Sequence, residues 1–321
     1  MTSFEDALAL SPPASCVLNS TASIEFVRFH DPKYLYTGAD FWKNWLEDDR
    51  KWQARGRYAG SEISSGTFFS PSKEAALAEA SFYLESKDIE SIKATVTIQA
   101  RHNNILNLTE EEAINFVFQQ LLGFRYNRPT VLLAVLASVR AQGSMITDYI
   151  GGWAYHKGYS GIMFLSARAL EPMRQDFDVS SLDDNYWGQY WTAGADEFDY
   201  YTIQIMRQGI QERPTHYLNI VYFSGPHLIS SISKFKIRLP SGEKSAGENP
   251  YFEKPDLEIL RESNETIAKR KRRSLERMSE LHEAMATLRQ GIDEVLDKRA
   301  QHKLANQELG EWIEENLILA P

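Results

Sequence analysis

Cysteine is almost absent from this sequence, which has Cys16 as its only example in 321 residues. One thiol excludes an internal disulfide framework and a cysteine-based zinc site, and it suits a reducing compartment. Histidine offers no other set of metal ligands, because His102, His156 and His227 are scattered without the spacing of a ligand set. We therefore predict that the protein has no metal site.

Long apolar runs and an excess of basic charge are missing too. The longest apolar run, residues 131–137, is far too short to span a bilayer. Residues 1–20 carry acidic residues and no basic residue ahead of an apolar stretch, unlike a secretory signal. The formal net charge of −9 argues against a general binder of nucleic acid or of anionic membranes. These absences predict a soluble, cytoplasmic protein without a membrane partner.

A dinucleotide fingerprint is also missing, since no G-x-G-x-x-G motif follows a strand-like segment. A redox enzyme that uses NAD through a doubly wound sheet is therefore not expected. What the sequence does have is length and apolar residues, with 43% hydrophobic and 12% aromatic residues. A chain of this size and composition folds around one large core or two modest ones.

Strand-like and helix-like segments both occur along the chain and predict an α+β fold. Seven segments have the period or the apolar content of strands: 24–29, 67–69, 91–100, 105–109, 162–165, 218–223 and 229–239. Segment 171–214 is rich in Asp, Tyr and Trp, and it is either an insertion with its own small core or a lid over a site. The predicted division of the chain is a flexible lead-in at 1–21, a domain at 22–240, a linker at 241–255 and a helical extension at 256–321.

A helix is predicted where Ser70 and Pro71 precede Glu74, because a capping side chain, an early proline and an early acid are typical of a helix start. The helix continues through small residues to about residue 84 and carries Glu79 among them. Glu79 is close to the apolar stripe, where a carboxylate is costly unless it has partners. It is therefore either a solvated surface residue or a residue with a special role.

Two arginines lie in unusual settings ahead of that helix. Arg28 occurs within a short apolar strand, where it is either an edge residue that reaches water or a buried ligand for an anion. Arg57 and Tyr58 lie in a loop flanked by glycines, which is expected to hold a cation and an aromatic ring close to the backbone.

The C-terminal extension has the spacing of three and four residues that is typical of a heptad seam. Its apolar members are Leu257, Leu260, Ile267, Met278, Leu281, Met285, Leu288, Ile292 and Val295. Asn264, Lys271 and Ser274 occupy the same phase and make the first half of the seam polar. We predict a helical hairpin or a self-associating coil over 256–316. Its basic run, 269–273, is interpreted as a solvated helix face, with nucleic-acid binding as the alternative.

Several short segments occur in a fixed order along the chain: 26–29 (Phe-Val-Arg-Phe), 56–58 (Gly-Arg-Tyr), 66–70 followed by 76–79 with Glu79, 158–168 with Ser166, and 219–223 (Asn-Ile-Val-Tyr-Phe). In this order they resemble the RES domain family, which is named for its Arg, Glu and Ser. The resemblance covers roughly residues 22–240 and leaves the C-terminal extension outside it. The chain departs from the family at Phe68 and Phe69, because a tyrosine is frequent in that strand.

The resemblance implies an ADP-ribosyltransferase-like mixed β core with surrounding helices, to which this chain adds the helical, coiled-coil-like extension. Members of the family are bacterial proteins, and many are toxins of toxin–antitoxin pairs. The resemblance also implies breakdown of NAD⁺ by hydrolysis or phosphorolysis, or transfer of ADP-ribose to a target. NAD⁺ is then a substrate, no prosthetic group is needed and phosphate is a candidate co-substrate. The partner of 256–316 is an antitoxin or a second copy of the chain.

The residue types suit that chemistry. Glu79 is the candidate catalytic carboxylate, because a carboxylate beside the ribose stabilises the oxocarbenium character that develops there. Arg28 is the candidate ligand of the pyrophosphate, and Arg57 can bind a phosphate of NAD⁺ or of a co-substrate. Ser166 is expected to donate a hydrogen bond to a phosphate or to ribose. It lacks the His–Asp pattern that would mark a nucleophile.

Aromatic residues complete the set of candidates. Tyr58 and Phe68 or Phe69 are expected to stack on nicotinamide or adenine, and the plainer alternative is that they are core residues. Two rival functions stay open. A mono-ADP-ribosyltransferase that modifies a protein or nucleic acid differs only in the acceptor, with 171–214 selecting the target. An inert binding module that acts through the C-terminal helices belongs to another class.

Overall fold

The computed structural model describes residues 3–20, 22–34, 56–60, 63–64, 66–84, 88–101, 103–123, 141–166, 218–223, 230–254 and 258–301. The predicted insertion at 171–214 and the extension beyond residue 301 lie outside the described residues. All structural statements below refer to the described part of the chain.

Two β-sheets with helices around them form the described part, which confirms the predicted α+β class. The strands are β1 (Val17–Leu18), β2 (Ser23–His30), β3 (Gly66–Phe69), β4 (Ala94–Arg101), β5 (Ile105–Asn107), β6 (Gly161–Leu165), β7 (Leu218–Phe223), β8 (Ile232–Arg238) and β9 (Lys244–Glu248). The helices are α1 (Phe4–Ala9), α2 (Lys73–Leu84), α3 (Ile89–Ile92), α4 (Glu111–Asn115), α5 (Ala141–Lys157) and α6 (Glu258–Gln301). A π-helical turn, Phe116–Leu121, continues α4. Short 3-10 turns lie at Ala14–Cys16 and Pro32–Tyr34.

The order of the strands places β2 and β3 close to the start of α2. One sheet has the order β1-β5-β6-β7-β3, and the other has the order β2-β4-β8-β9. Neighbouring described strands are antiparallel except β5 and β6, which are parallel. Val27 on β2 and Ser70, the residue after β3, exchange backbone hydrogen bonds of 2.8 and 2.9 Å. The two sheets are therefore joined just before α2 begins.

Side-chain alternation along the strands separates two hydrophobic clusters. The first lies between the sheets and includes Phe26 and Ile98 of one sheet with Phe69 and Ile220 of the other. The second lies on the opposite face of the five-stranded sheet and combines its side chains with those of α1, α5 and α6. A residue of β3, β6 or β7 thus faces either the other sheet or the helices.

The N-terminal segment is part of the core, in contrast to the predicted flexible lead-in. Ser3 and Asp6 form a reciprocal capping box at α1, with hydrogen bonds of 3.2 and 3.1 Å. Phe4 and Ala7 are buried in the helix-covered cluster, and the indole N–H of Trp153 donates a hydrogen bond of 2.8 Å to the Ala7 carbonyl. A helix of six residues is too short for an apolar period to stand out in the sequence, so the prediction missed it.

The predicted linker also contains regular structure. β9 pairs with β8 and places Lys244 opposite Arg238 and Glu248 opposite Lys234. Its residues alternate between exposed and half-buried, so no apolar period marks it as a strand. The four-stranded sheet therefore extends beyond the predicted domain end at residue 240.

The C-terminal extension begins as one helix of 44 residues, α6. Its seam residues Ser274, Met278 and Met285 are buried, and the two methionines belong to the cluster that contains Trp153 of α5. This part of the predicted heptad seam packs inside the chain. Pairing between copies through these residues would require α6 to leave α5, and the coiled coil and self-association remain predictions.

Candidate functional site

Glu79 lies near the middle of α2, and local hydrogen bonds fix where this helix starts. The side chain of Ser72 accepts a hydrogen bond of 3.1 Å from the backbone N–H of Ala75. The predicted cap, Ser70, lies two residues before the observed one, Ser72. Its backbone pairs with β2, and its hydroxyl donates a hydrogen bond of 2.6 Å to Oδ1 of Asn219. Ser70 therefore belongs to the site and not to the cap.

Three side chains from separate parts of the chain meet around one oxygen of Glu79. Nδ2 of Asn219 on β7 donates a hydrogen bond of 2.7 Å to Oε1. Oγ of Ser166, directly after β6, donates to the same oxygen. Nη2 of Arg57 lies 4.0 Å from Oε1, and the Glu79 side chain is 25% exposed. Within the described residues no donor reaches Oε2, so the carboxylate is held through one oxygen and offers the other.

Asn219 is a polar residue in an otherwise apolar strand, and its orientation is determined by its two partners. It is 6% exposed. Because the hydroxyl of Ser70 donates to Oδ1, the amide turns its NH₂ group toward Glu79. Ser70 and Asn219 together hold the carboxylate in position. Both residues lie in segments 66–70 and 219–223, but neither was predicted as a site residue.

Arg57 and Tyr58 occupy the tip of a tight turn. The backbone groups of Gly56 and Ala59 exchange hydrogen bonds of 3.2 and 3.1 Å across it. Tyr58 has a φ of 63°, a left-handed conformation that is uncommon for a residue with a large side chain. Such strain persists where the surrounding structure fixes the backbone. The turn directs the Arg57 side chain to the carboxylate of Glu79.

Close packing against α5 fixes the backbone of this turn. A methyl group at Gly151 of α5 would overlap the carbonyl of Tyr58. The ring of Tyr58 is fully buried, and burial raises the pKa of its hydroxyl well above the usual value. Among the described residues its hydroxyl has no hydrogen-bond partner. A buried phenol without a hydrogen-bond partner lowers the stability of the folded chain.

Phe164 on β6 is the aromatic centre of the site, although the sequence analysis did not select it. The guanidinium carbon of Arg57 lies 4.9 Å from the centre of its ring, a distance typical of cation–π contacts. Its ring centre lies 4.7 Å from that of Tyr58 and 6.4 Å from that of Phe68. Phe164 is paired with Asn219 across β6 and β7, so it lies next to the residue that holds Glu79.

The two phenylalanines of β3 have different surroundings because successive strand residues point to opposite faces. Phe68 faces the helix-covered cluster and is half-buried near Phe164. Phe69 is buried between the sheets, with its ring centre 6.3 Å from that of Tyr222. Of the two predicted stacking residues, the structure brings Phe68 to the site and places Phe69 in the core.

Arg28 lies on β2 and on the same strand face as Phe26, which packs between the sheets. It follows Val27, whose backbone is bonded to Ser70, and so it lies close to the beginning of α2. The residue as a whole is half-buried, and burial lowers the pKa of its guanidinium to about 10. Within the described residues, no hydrogen bond or ion pair joins Arg28 to Glu79 or to another side chain. It is a partly desolvated cation near the beginning of α2.

The described residues contain neither a metal-ligand cluster nor a membrane-spanning helix. No group of three His, Cys, Asp or Glu side chains there is arranged to hold a metal ion. None of the described helices has both the length and the apolar character needed to cross a bilayer. Comparisons of the chain with protein-family models, curated proteins and solved structures give no match. The description of the site therefore rests on the contacts around Glu79 in this α+β fold.

Proposed function

We propose that the protein consumes NAD⁺ by cleaving the bond between nicotinamide and ribose, with water or phosphate as the acceptor. The observation that carries the proposal is the carboxylate of Glu79, which is held through Oε1 by Asn219 and Ser166 while Oε2 has no donor among the described residues. A carboxylate fixed through one oxygen can present the other to a developing positive charge without rearranging.

Cleavage of the nicotinamide–ribose bond needs a negative charge beside the ribose, which Glu79 supplies. The bond from C1′ of ribose to the nicotinamide nitrogen breaks, and its electron pair stays with nicotinamide, which leaves as a neutral molecule. The ribose develops oxocarbenium character, which the negative charge of Glu79 stabilises. An oxygen of water or phosphate then bonds to C1′, and water loses one proton to the solvent. The product is ADP-ribose or its 1″-phosphate.

The surroundings of Glu79 supply complementary contacts for this substrate. Arg57, stacked on Phe164, offers a planar cation to a phosphate group. Arg28 adds a second, partly desolvated cation for the pyrophosphate. The half-buried ring of Phe68 is available to nicotinamide or adenine. These features support the use of a dinucleotide.

The same proposal extends to the fold and to the biological role. Two packed sheets with a carboxylate at the edge of one of them are compatible with an ADP-ribosyltransferase-like architecture and with the resemblance to the RES domain family. On this basis we expect a toxin-like activity that is restrained in the cell, with an antitoxin as a partner. The cytoplasm, where NAD⁺ is abundant, is the expected location.

The proposal is tested by incubating the purified protein with NAD⁺, with and without phosphate, and identifying the ribosyl product by mass spectrometry. We expect nicotinamide release in the wild-type protein and its loss in Glu79→Gln. A product with the mass of ADP-ribose identifies water as the acceptor, and an added phosphate identifies phosphorolysis. Release that begins only when a protein or nucleic acid is added, with an increase in that target's mass, would instead identify a transferase. No release under any of these conditions would refute the proposal.

A further inference from the structure

We propose that the long helix α6 positions the Arg57–Tyr58 turn, so that this C-terminal helix is a structural part of the candidate active site. The inference rests on the proposed function for its catalytic consequence. The structural connection from α6 to the turn is independent of that function. It consists of two contacts between α6 and Ile63 and a third between residues 63–64 and the turn.

The first contact joins α6 to residue 63. Ser274 on α6 is fully buried, and its hydroxyl donates a hydrogen bond to the carbonyl oxygen of Ile63. Nε2 of His156 on α5 lies 2.8 Å from the same hydroxyl. Because the single hydroxyl proton goes to Ile63, His156 is the donor in this second bond. One serine thus connects α6 to α5 and to the segment beside the turn.

The second contact is steric. Met278, one turn further along α6, is fully buried. A methyl group at Gly152 of α5 would overlap the sulfur of Met278 and would lie 2.6 Å from Cγ2 of Ile63. The side chains of Met278 and Ile63 therefore lie together against Gly152, where α5 has no side chain to separate them. Movement of α6 here would disturb the packing of Ile63.

The third contact joins residues 63 and 64 to the turn. The backbone N–H groups of Ile63 and Ser64 both donate to the carbonyl of Gly60, at 3.2 and 3.1 Å. The hydroxyl of Ser64 donates a hydrogen bond of 3.3 Å to the carbonyl of Tyr58. The carbonyl of Tyr58 is also the group that Gly151 of α5 lies against. The position of Tyr58, and of Arg57 beside it, follows from this packing.

Docking on α5 accounts for two of the polar seam residues, Lys271 and Ser274. Lys271 lies over the ring of Tyr155, with Nζ 4.7 Å from the ring centre, and Ser274 is bonded to His156. Outside the seam, Nδ1 of His282 lies 2.7 Å from the hydroxyl of Tyr149, which adds a further polar contact between α6 and α5. A coiled coil with a second copy of the chain would be more stable with apolar residues at the seam positions that Lys271 and Ser274 occupy. A polar seam with matched partners indicates docking on α5.

The test compares Ser274→Ala with Ser279→Ala in the full-length protein. Ser279 is an exposed serine on the same helix, and its hydroxyl bonds only to the carbonyl of Leu275 four residues earlier, so it is the matched control. Amide hydrogen exchange is followed at Ala59, Ile63 and Ser64, whose N–H groups are bonded within the two turns. Loss of a buried hydrogen bond predicts exchange about tenfold faster at these amides in Ser274→Ala. We expect no change in Ser279→Ala.

Amides of β4 report on global stability in the same experiment. Faster exchange at residues 59–64 with unchanged exchange in β4 supports the proposal. Unchanged exchange at residues 59–64, or equal acceleration there and in β4, overturns it.

Kinetics add the catalytic readout. Because Arg57 is assigned to substrate binding, Ser274→Ala should raise the KM for NAD⁺ several-fold with a smaller change in kcat. An unchanged KM, in a wild-type protein that cleaves NAD⁺, overturns the link to the site. If the wild-type protein releases no nicotinamide, the proposed function fails, and the exchange data alone decide whether α6 positions the turn.

Discussion

Replacing Asn219 by alanine is the perturbation for which the site geometry makes the sharpest prediction. Asn219 is 6% exposed, accepts a hydrogen bond of 2.6 Å from Ser70 and donates one of 2.7 Å to Glu79. Alanine removes an acceptor from a buried hydroxyl and a donor from the carboxylate. Asn249 is a matched control, because it is also 6% exposed and forms two hydrogen bonds with the backbone, of 2.7 and 2.9 Å.

The expected magnitudes follow from these contacts. A buried polar group left unsatisfied costs about 1–3 kcal/mol. We therefore expect Asn219→Ala and Asn249→Ala each to lower the free energy of unfolding by about 2 kcal/mol, measured by urea denaturation. Only Asn219→Ala should slow nicotinamide release, by about tenfold to a hundredfold, because each 1.4 kcal/mol of lost transition-state stabilisation is about tenfold in rate.

Two results would refute this reasoning. Equal rates of nicotinamide release by the two variants, at a temperature where both are fully folded, would show that Asn219 does not position the carboxylate. Wild-type stability in Asn219→Ala would show that the hydrogen bonds to Ser70 and Glu79 contribute nothing to folding.

Other predictions concern the turn, α5 and the N-terminus. Tyr58→Phe should raise the free energy of unfolding by about 1 kcal/mol in urea denaturation, because its hydroxyl has no partner among the described residues; an unchanged or lower value would show that the hydroxyl is satisfied. Gly151→Ala should cost about 1–3 kcal/mol and slow NAD⁺ cleavage, because the added methyl group displaces the Tyr58 carbonyl. Burial, reinforced by Lys271, lowers the pKa of His156 from 6.5 to about 4. As the pH falls, His156 therefore binds a proton in the unfolded chain before it does so in the folded one. The free energy of unfolding should fall between about pH 6.5 and pH 4, by up to about 1.4 kcal/mol per pH unit. In urea denaturation, His156→Gln should show a weaker dependence of the free energy of unfolding on pH over this range. Phe4→Ala should cost about 3–5 kcal/mol in urea denaturation, whereas a flexible lead-in would tolerate it without loss.

Much of the candidate site could be predicted because its residues carry chemical signals in the sequence. A carboxylate among small residues in a helix, a glycine-flanked Arg-Tyr pair and a serine at a strand end were all selected, and the structure brings Glu79, Arg57 and Ser166 into contact. Asn219 is also recognisable in the sequence, since it is a polar residue near the start of an otherwise apolar strand. It was not predicted as a site residue because an asparagine acquires a positioning role only through its hydrogen-bond partners, Ser70 and Glu79, which are distant in sequence.

Other features depend on packing that no local pattern encodes. Phe68 and Phe69 are equivalent in composition, and only the register of β3 against β7 decides which of them faces Phe164. Lys271 and Ser274 weaken the predicted seam in the sequence, and only the folded chain supplies their partners on α5, Tyr155 and His156. Short elements such as α1 and β9 contain too few residues for a period to emerge. Tertiary contacts stabilise these elements, so the sequence alone did not indicate them.

The measurement that tests the account most directly is the rate of nicotinamide release from NAD⁺ by three proteins: wild type, Glu79→Gln and Glu74→Gln. Glu74 is an exposed acid in the first turn of the same helix, so its variant controls for the loss of one carboxylate from α2. We expect Glu79→Gln to be at least about a hundredfold slower than wild type and Glu74→Gln to stay within about twofold. Equal rates for Glu79→Gln and Glu74→Gln would contradict the assignment of Glu79 as the catalytic carboxylate.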